Sequence, residues 1–172
     1  MIEEKELLKQ CKKEINKANK ICRTAPSISL VSRESKKLSQ YTDSLDIEKL
    51  NEDMTTETLQ TEYEKCMKLK GKAKKIFIKM KGLQFSMASS IQRLRTICEN
   101  MESFTEDIDR MEKTQNLSTM QTVLRQNLLS IQKWIEEEEK LIDSIKINVD
   151  LGVNLFKNYI SKIVQIQRER LK

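Results

Sequence analysis

The stretch that decides the fold covers residues 76–111 and reads IFIKMKGLQFSMASSIQRLRTICENMESFTEDIDRM. Apolar side chains recur through it at spacings of three or four residues: Ile76, Met80, Leu83, Met87, Ile91, Leu94, Ile97, Met101, Phe104, Ile108 and Met111. This spacing places them on one stripe of an α-helix, as in coiled coils. The stripe continues upstream to Leu59 with some drift. We therefore expect one long helix over residues 56–112.

A second stripe of the same kind occupies the C-terminal third of the chain. It consists of Leu124, Leu128, Ile131, Ile135, Ile142, Ile145, Val149, Phe156, Ile160 and Ile163, and Trp134 and Tyr159 widen it. The pattern breaks at residues 114–117, and Ser118 followed by Gln121 matches a capping box. Gly152 inside the stripe marks a weak point or a close backbone approach.

A short break between two long helices predicts an antiparallel hairpin, with its turn near residues 113–118. In that register the acidic run at residues 136–139 lies opposite residues 92–95, where Arg93 and Arg95 occur. Opposite charges that face each other across an antiparallel seam help to set its register. This charge match therefore supports the hairpin independently of the apolar pattern.

Two shorter helices precede the hairpin. Leu8, Cys11, Ile15, Ala18 and Cys22 predict a helix over residues 3–24. Pro26 ends this helix, because proline pushes the residue before it out of the α region. Val31, Leu38, Tyr41 and Leu45 predict a second helix over about residues 30–52. The expected fold class is an all-α, elongated helical bundle or coiled coil, with a short helical pair at residues 1–54 and a long hairpin at 55–172.

Composition agrees with long helices and excludes several classes of function. The 172 residues include 3 glycines, 1 proline and no histidine, so turns are few and histidine chemistry is excluded. The chain has no glycine-rich phosphate motif. Its cysteines, Cys11, Cys22, Cys66 and Cys98, form no C-x-x-C pair, and we expect reduced thiols that pack as small apolar side chains. We expect no enzyme: no catalytic residues, metal, cofactor or small-molecule substrate.

The apolar segments are too short for a membrane span. No apolar run approaches the roughly 20 residues that cross a bilayer, and the acidic N-terminal stretch lacks the apolar core of a signal peptide. From these features we expect no transmembrane segment and no secretion. The expected location is the cytoplasm or the nucleus, including association with the cytoskeleton.

Positive charge is concentrated in one part of the chain, whose net charge is +6. Between Lys65 and Lys81 there are eight lysines and no acidic residue. We call seven of them the basic patch: Lys68, Lys70, Lys72, Lys74, Lys75, Lys79 and Lys81. The patch fits two interpretations, a solvated face and a contact with a polyanion such as a microtubule, a nucleic-acid backbone, an anionic membrane or an acidic subunit. This segment has no arginine and Phe77 is its one aromatic residue, which disfavours base stacking.

The apolar stripes are wider than a two-stranded seam needs, and an uncovered apolar stripe usually marks a binding surface. The predicted partner-binding seam comprises Met87, Ile91, Leu94, Ile131, Trp134, Ile145, Phe156 and Ile160. These features predict a non-catalytic coiled-coil subunit of a hetero-oligomeric assembly with other helical subunits. Within this class we favour a microtubule, spindle or kinetochore complex of cell division. The alternatives are a direct binder of tubulin tails or nucleic-acid backbone, and a membrane-traffic tether or adaptor.

Overall fold

The computed structural model describes residues 3–26 and 28–172; positions 1, 2 and 27 of the predicted N-terminal pair lie outside the described residues. The elements in chain order are α1 (Glu4–Thr24), α2 (Ile28–Thr42), a 3₁₀ turn (Ile47–Lys49), α3 (Thr56–Arg110) and α4 (Gln115–Arg170). No strand occurs in these described ranges. Helices α3 and α4 pack against each other as a hairpin, accompanied by the shorter N-terminal helical pair. The predicted all-α class is confirmed.

The second helix is shorter than predicted, because α2 ends at Thr42 and not near residue 52. Polar side chains in the following segment bond to nearby backbone and offer it an alternative to the helix. The Asp46 carboxylate accepts from the Glu48 backbone N–H at 3.1 Å, and the Asn51 side chain accepts from the Asp53 N–H at 2.9 Å. Two apolar residues of this segment, Leu45 and Leu50, are nevertheless buried, and Ile47 and Met54 are half-buried. They pack against the core from a loop. Their spacing in the sequence departs from that of a helix because this segment is irregular.

The capping box predicted at Ser118 and Gln121 is wrong, because α4 begins at Gln115. The hydroxyl of Thr114 accepts from the Leu117 N–H at 3.3 Å and caps the helix instead. The Gln121 side chain turns to α3, where its Nε2 donates to Asp109 Oδ1 at 2.6 Å. Gln121 therefore ties α4 to α3 beside the turn.

The chain groups into two compact units, each of which contains part of α3 and part of α4. Unit 1 comprises the described residues up to Pro26 together with Phe85–Ile142, and unit 2 comprises residues 28–84 together with Asp143–Lys172. Helix α1 thus belongs to unit 1 and α2 to unit 2. This grouping differs from the sequence-based division at residue 54, because each short helix contributes to the core of a different unit.

Unit 1 has one continuous apolar core to which three helices contribute. Its fully buried side chains include Leu7 and Cys11 from α1, Leu94 and Met101 from α3, and Leu124 from α4. At the flank of this core an ion pair joins Arg95 to Glu139. That contact confirms the predicted opposition of residues 92–95 and 136–139.

Unit 2 has its own core, in which Gly152 allows a close approach. A Cβ atom at Gly152 would lie 3.0 Å from the ring of Phe77, which is tighter than ordinary van der Waals contact. The ring of Phe77 meets that of Phe156 edge-on, with centroids 6.4 Å apart. Gly152 therefore permits this aromatic pair to form, and of the two sequence interpretations the close approach is confirmed.

Candidate interaction surface

All eight lysines between residues 65 and 81 have exposed side chains on the α3 part of unit 2. Two of them contact the protein: Lys79 Nζ lies 2.8 Å from Glu34 Oε1, and Lys65 Nζ donates to the Ser44 carbonyl at 3.4 Å. The other six form no hydrogen bond or ion pair with any residue that the structure describes: Lys68, Lys70, Lys72, Lys74, Lys75 and Lys81. Six ammonium groups in this segment are thus available to a partner.

The free lysines lie on two sides of α3. At 3.6 residues per turn, Lys70 and Lys74 share the side that borders α4, and both line a groove there. Lys68 and Lys72 have the same spacing of four residues but lie on the other side of the helix, and neither lines the groove. Two matched pairs of lysines therefore occupy one helix, one pair beside the groove and one away from it.

The groove between α3 and α4 in unit 2 has a volume of about 440 Å³ and is lined by Met67, Lys70, Gly71, Lys74, Phe77, Val153 and Phe156. We call it the apolar groove, because only its two lysines carry charge. Met67 and Val153 are 41% and 45% exposed, and Phe156 is almost fully buried. The groove is therefore an open apolar surface with a positively charged edge on α3.

Further large apolar side chains are exposed on unit 2. Ile78 on α3 and Leu151 on α4 are each 64% exposed. Neither residue lines the groove, and single exposed apolar residues are common on protein surfaces. Among the described residues of unit 1, the large apolar side chains that are exposed are Phe85 and Leu129.

The two units differ in net charge. Residues 27–84 and 143–172 contain 18 basic and 12 acidic side chains, whereas residues 1–26 and 85–142 contain 14 of each. The whole net charge of +6 therefore belongs to unit 2, and unit 1 is neutral. The part of the chain in which the sequence concentrates positive charge therefore belongs to one compact unit.

The side chains of the predicted partner-binding seam lie within the protein. Met87, Ile91, Leu94, Ile131, Ile145 and Phe156 are buried, and Trp134 and Ile160 are half-buried. Nothing tests their role toward a partner, which stays a prediction. The apolar surface that is open lies instead at residues outside the predicted seam, such as Met67 and Val153. Their signal in the sequence is weak, because each is a single apolar residue that lies off the periodic stripe.

No group of three or more His, Cys, Asp or Glu residues in the described ranges could hold a metal ion. None of the helices in those ranges is long and apolar enough to span a bilayer. The four cysteines are free, and burial raises the pKa of each thiol.

Comparison with protein-family models, with curated proteins and with solved structures finds no match in any of the three. The features of the chain that bear on its function are therefore the geometry and charge of unit 2.

Proposed function

We propose that this chain is a non-catalytic helical subunit of a hetero-oligomeric assembly, and that unit 2 presents the surface for an acidic partner. The observation that carries the proposal is that six unpaired lysines and an open apolar groove occur on the same unit. Apolar area supports affinity, whereas charge of one sign steers and selects an oppositely charged partner. A merely solvated lysine face has no need of an apolar groove beside it.

Within this class we propose a microtubule, spindle or kinetochore complex of cell division, in the cytoplasm or the nucleus. The support is the pair of long helices, of 55 and 56 residues, together with a basic segment that suits an acidic protein surface. Long helical hairpins suit subunits that assemble side by side through helix packing.

The alternative is direct binding of a polyanion, such as a tubulin tail or a nucleic-acid backbone. The six unpaired lysines favour it, because cations that neutralise phosphates or carboxylates release bound counterions. Such binding weakens steeply between about 50 and 200 mM salt, whereas assembly through apolar surface hardly changes. A membrane-traffic tether or adaptor is a third candidate, for which co-sedimentation with anionic vesicles is the test.

The proposed function is tested by purifying the tagged full chain from native extract at physiological salt. We expect stoichiometric partner subunits with the wild-type chain, and about a tenfold loss of them when Lys68, Lys70, Lys72 and Lys74 are all changed to Glu. The matched control changes Lys5, Lys9, Lys12 and Lys13 on α1 of unit 1 to Glu, and it should retain the partners. A wild-type chain that purifies alone, as a monomer, contradicts the proposal.

A further inference from the structure

The apolar groove is larger than one side chain requires. Its volume of about 440 Å³ is roughly three times the ~150 Å³ cavity that a removed core side chain leaves. Phe156 lies at its floor, and Met67 and Val153 expose part of their side chains along it. A groove of this size accommodates two or three apolar side chains, which is what one face of an amphipathic helix presents at spacings of three and four residues.

Gly71 leaves the α3 side of this groove open. A Cβ atom at Gly71 would meet no atom within 4 Å, in contrast to Gly152, where the missing side chain makes room for Phe77. Glycine weakens a helix interior relative to alanine, and no contact within unit 2 requires it at position 71. A bare backbone does allow a second helix to approach closely.

The positive charge at the edge of the groove indicates which kind of partner helix would bind there. Lys70 and Lys74 lie one turn apart on the groove's edge, and neither has a partner among the described residues. Acidic side chains beside the apolar face of a docked helix would pair with both. A nucleic-acid backbone would pair with the lysines but has no apolar face for Met67 and Val153.

We propose that the apolar groove binds one acidic amphipathic helix of a partner protein. Its apolar face lies over Gly71 and Phe156, and its carboxylates pair with Lys70 and Lys74. This inference rests on the proposed function, since it names the partner segment that unit 2 would recognise.

The test uses a fluorescein-labelled synthetic peptide with Leu at positions i, i+4 and i+7 and Glu on both flanks of that stripe. A peptide of the same composition with the stripe scrambled is its control. By fluorescence anisotropy on the full chain at physiological salt, we expect a Kd of about 1–10 µM for the first and at least about tenfold weaker binding for the second. Equal binding of the two peptides, or no binding of either below about 100 µM, overturns the proposal.

Charge-matched variants separate docking in the groove from general attraction. Lys70→Glu with Lys74→Glu should raise the Kd at least about tenfold. Lys68→Glu with Lys72→Glu changes the net charge equally, on the other side of α3, and should raise it less than about threefold. Equal weakening by the two double variants means that the lysine segment attracts any polyanion, and it overturns the groove as the site.

Variants at the two open glycines test the apolar part of the site. Gly71→Leu fills the groove and should weaken peptide binding at least about tenfold, whereas Gly82→Leu on the same helix, outside the groove lining, should leave it unchanged. Gly71→Ala should raise the melting temperature, as a better helix former, and still weaken binding. Wild-type affinity in the Gly71→Leu chain overturns the proposal.

Two further readouts distinguish this inference from the proposed function. In the first, anionic vesicles or single-stranded DNA are added to the complex with the peptide. If they displace the peptide, and Gly71→Leu does not weaken their own binding, the occupant of the groove is not an acidic helix and the proposal is overturned. If Gly71→Leu abolishes peptide binding but the native assembly still forms, the groove is not the native contact and the proposed function stands. If the peptide binds through the groove but no native assembly exists, the proposed function fails and the docking site stands.

Discussion

The ammonium group of Lys79 lies 2.8 Å from Oε1 of Glu34, and this contact joins α3 to α2 in unit 2. The Glu34 side chain is only 2% exposed, and Lys37 and Arg33 lie 3.6 and 3.9 Å from the same oxygen. These contacts are ion pairs by distance; Oε1 has no partner in well-directed hydrogen-bond geometry in the described ranges. A buried carboxylate needs compensating charge. Lys79 is therefore a structural residue, unlike its neighbours in the basic patch.

Replacing Lys79 with Met should lower the free energy of unfolding by about 1–2 kcal/mol, because Glu34 would keep only its more distant partners. Lys75→Met removes a lysine of the same helix that has no partner, and it should change stability by less than about 0.5 kcal/mol. Urea denaturation of the full chain measures both. Equal midpoints would show that the Glu34 pair contributes nothing to stability.

The same ion pairs predict a pH dependence. The Lys79 contact, followed by the charge of Lys37, holds the pKa of Glu34 below its ordinary value of 4.5. Because the folded-state pKa is the lower one, the stabilisation is present above pH 4.5 and is lost as pH falls through the lowered pKa. Glu34→Gln should therefore be less stable than wild type at pH 7, and the difference should shrink below pH 4.5. A difference that is constant from pH 7 to pH 3 would contradict this assignment.

Glu138 in unit 1 should have the opposite effect on the pH dependence of stability. Its side chain is buried, Oε2 has no partner in the described ranges, and burial, followed by the charge of Glu137, raises its pKa above 4.5. Its contribution to stability is therefore fully present below pH 4.5 and is lost as pH rises through the raised pKa. Glu138→Gln should gain about 1 kcal/mol over wild type at pH 7 and little at pH 4. The exposed neighbour Glu136→Gln serves as control, and a Glu138→Gln chain less stable at pH 7 would refute the argument.

A buried hydroxyl connects the two long helices in unit 2. The Tyr159 hydroxyl donates to Glu62 Oε2 at 2.7 Å, and burial together with this bond raises the pKa of Tyr159. Tyr159→Phe keeps the ring but removes the bond, so it should lower the free energy of unfolding by about 1 kcal/mol. Tyr63→Phe, at a half-buried tyrosine of α3, should leave the urea midpoint almost unchanged. If both variants unfold at the same midpoint as wild type, the Tyr159 bond is not stabilising.

The four thiols should react in a defined order. Burial raises the pKa of Cys11 to about 11, and Cys66 and Cys98 are also buried, whereas Cys22 is half-buried. Since the thiolate is the reactive form, iodoacetamide at pH 8 should modify Cys22 first in the native chain. Mass spectrometry over time measures the order, and guanidinium should make all four react alike. Modification of Cys11 or Cys66 as fast as Cys22 would mean that their cores are open.

The helices whose apolar residues recur over many turns could be predicted from the amino-acid sequence. Spacings of three and four residues are a local property of the chain, so the limits of α1 and α3 follow closely from the pattern. The facing charges also predicted the contact between Arg95 and Glu139. The end of α2 did not follow, because the side-chain bonds of Asp46 and Asn51 compete with the helix and leave no periodic signal.

Residues of the same type have different roles in this protein, and these roles depend on contacts that form only in the folded chain. Gly71 and Gly152 are alike in sequence, but one faces open space and the other a phenylalanine ring. Lys79 and Lys75 belong to one run of lysines, and only Lys79 meets a buried carboxylate. These differences depend on α2 and α4, whose residues are distant along the chain and approach α3 only on folding. The apolar groove arises in the same way, because its two walls are separated by more than seventy residues of sequence.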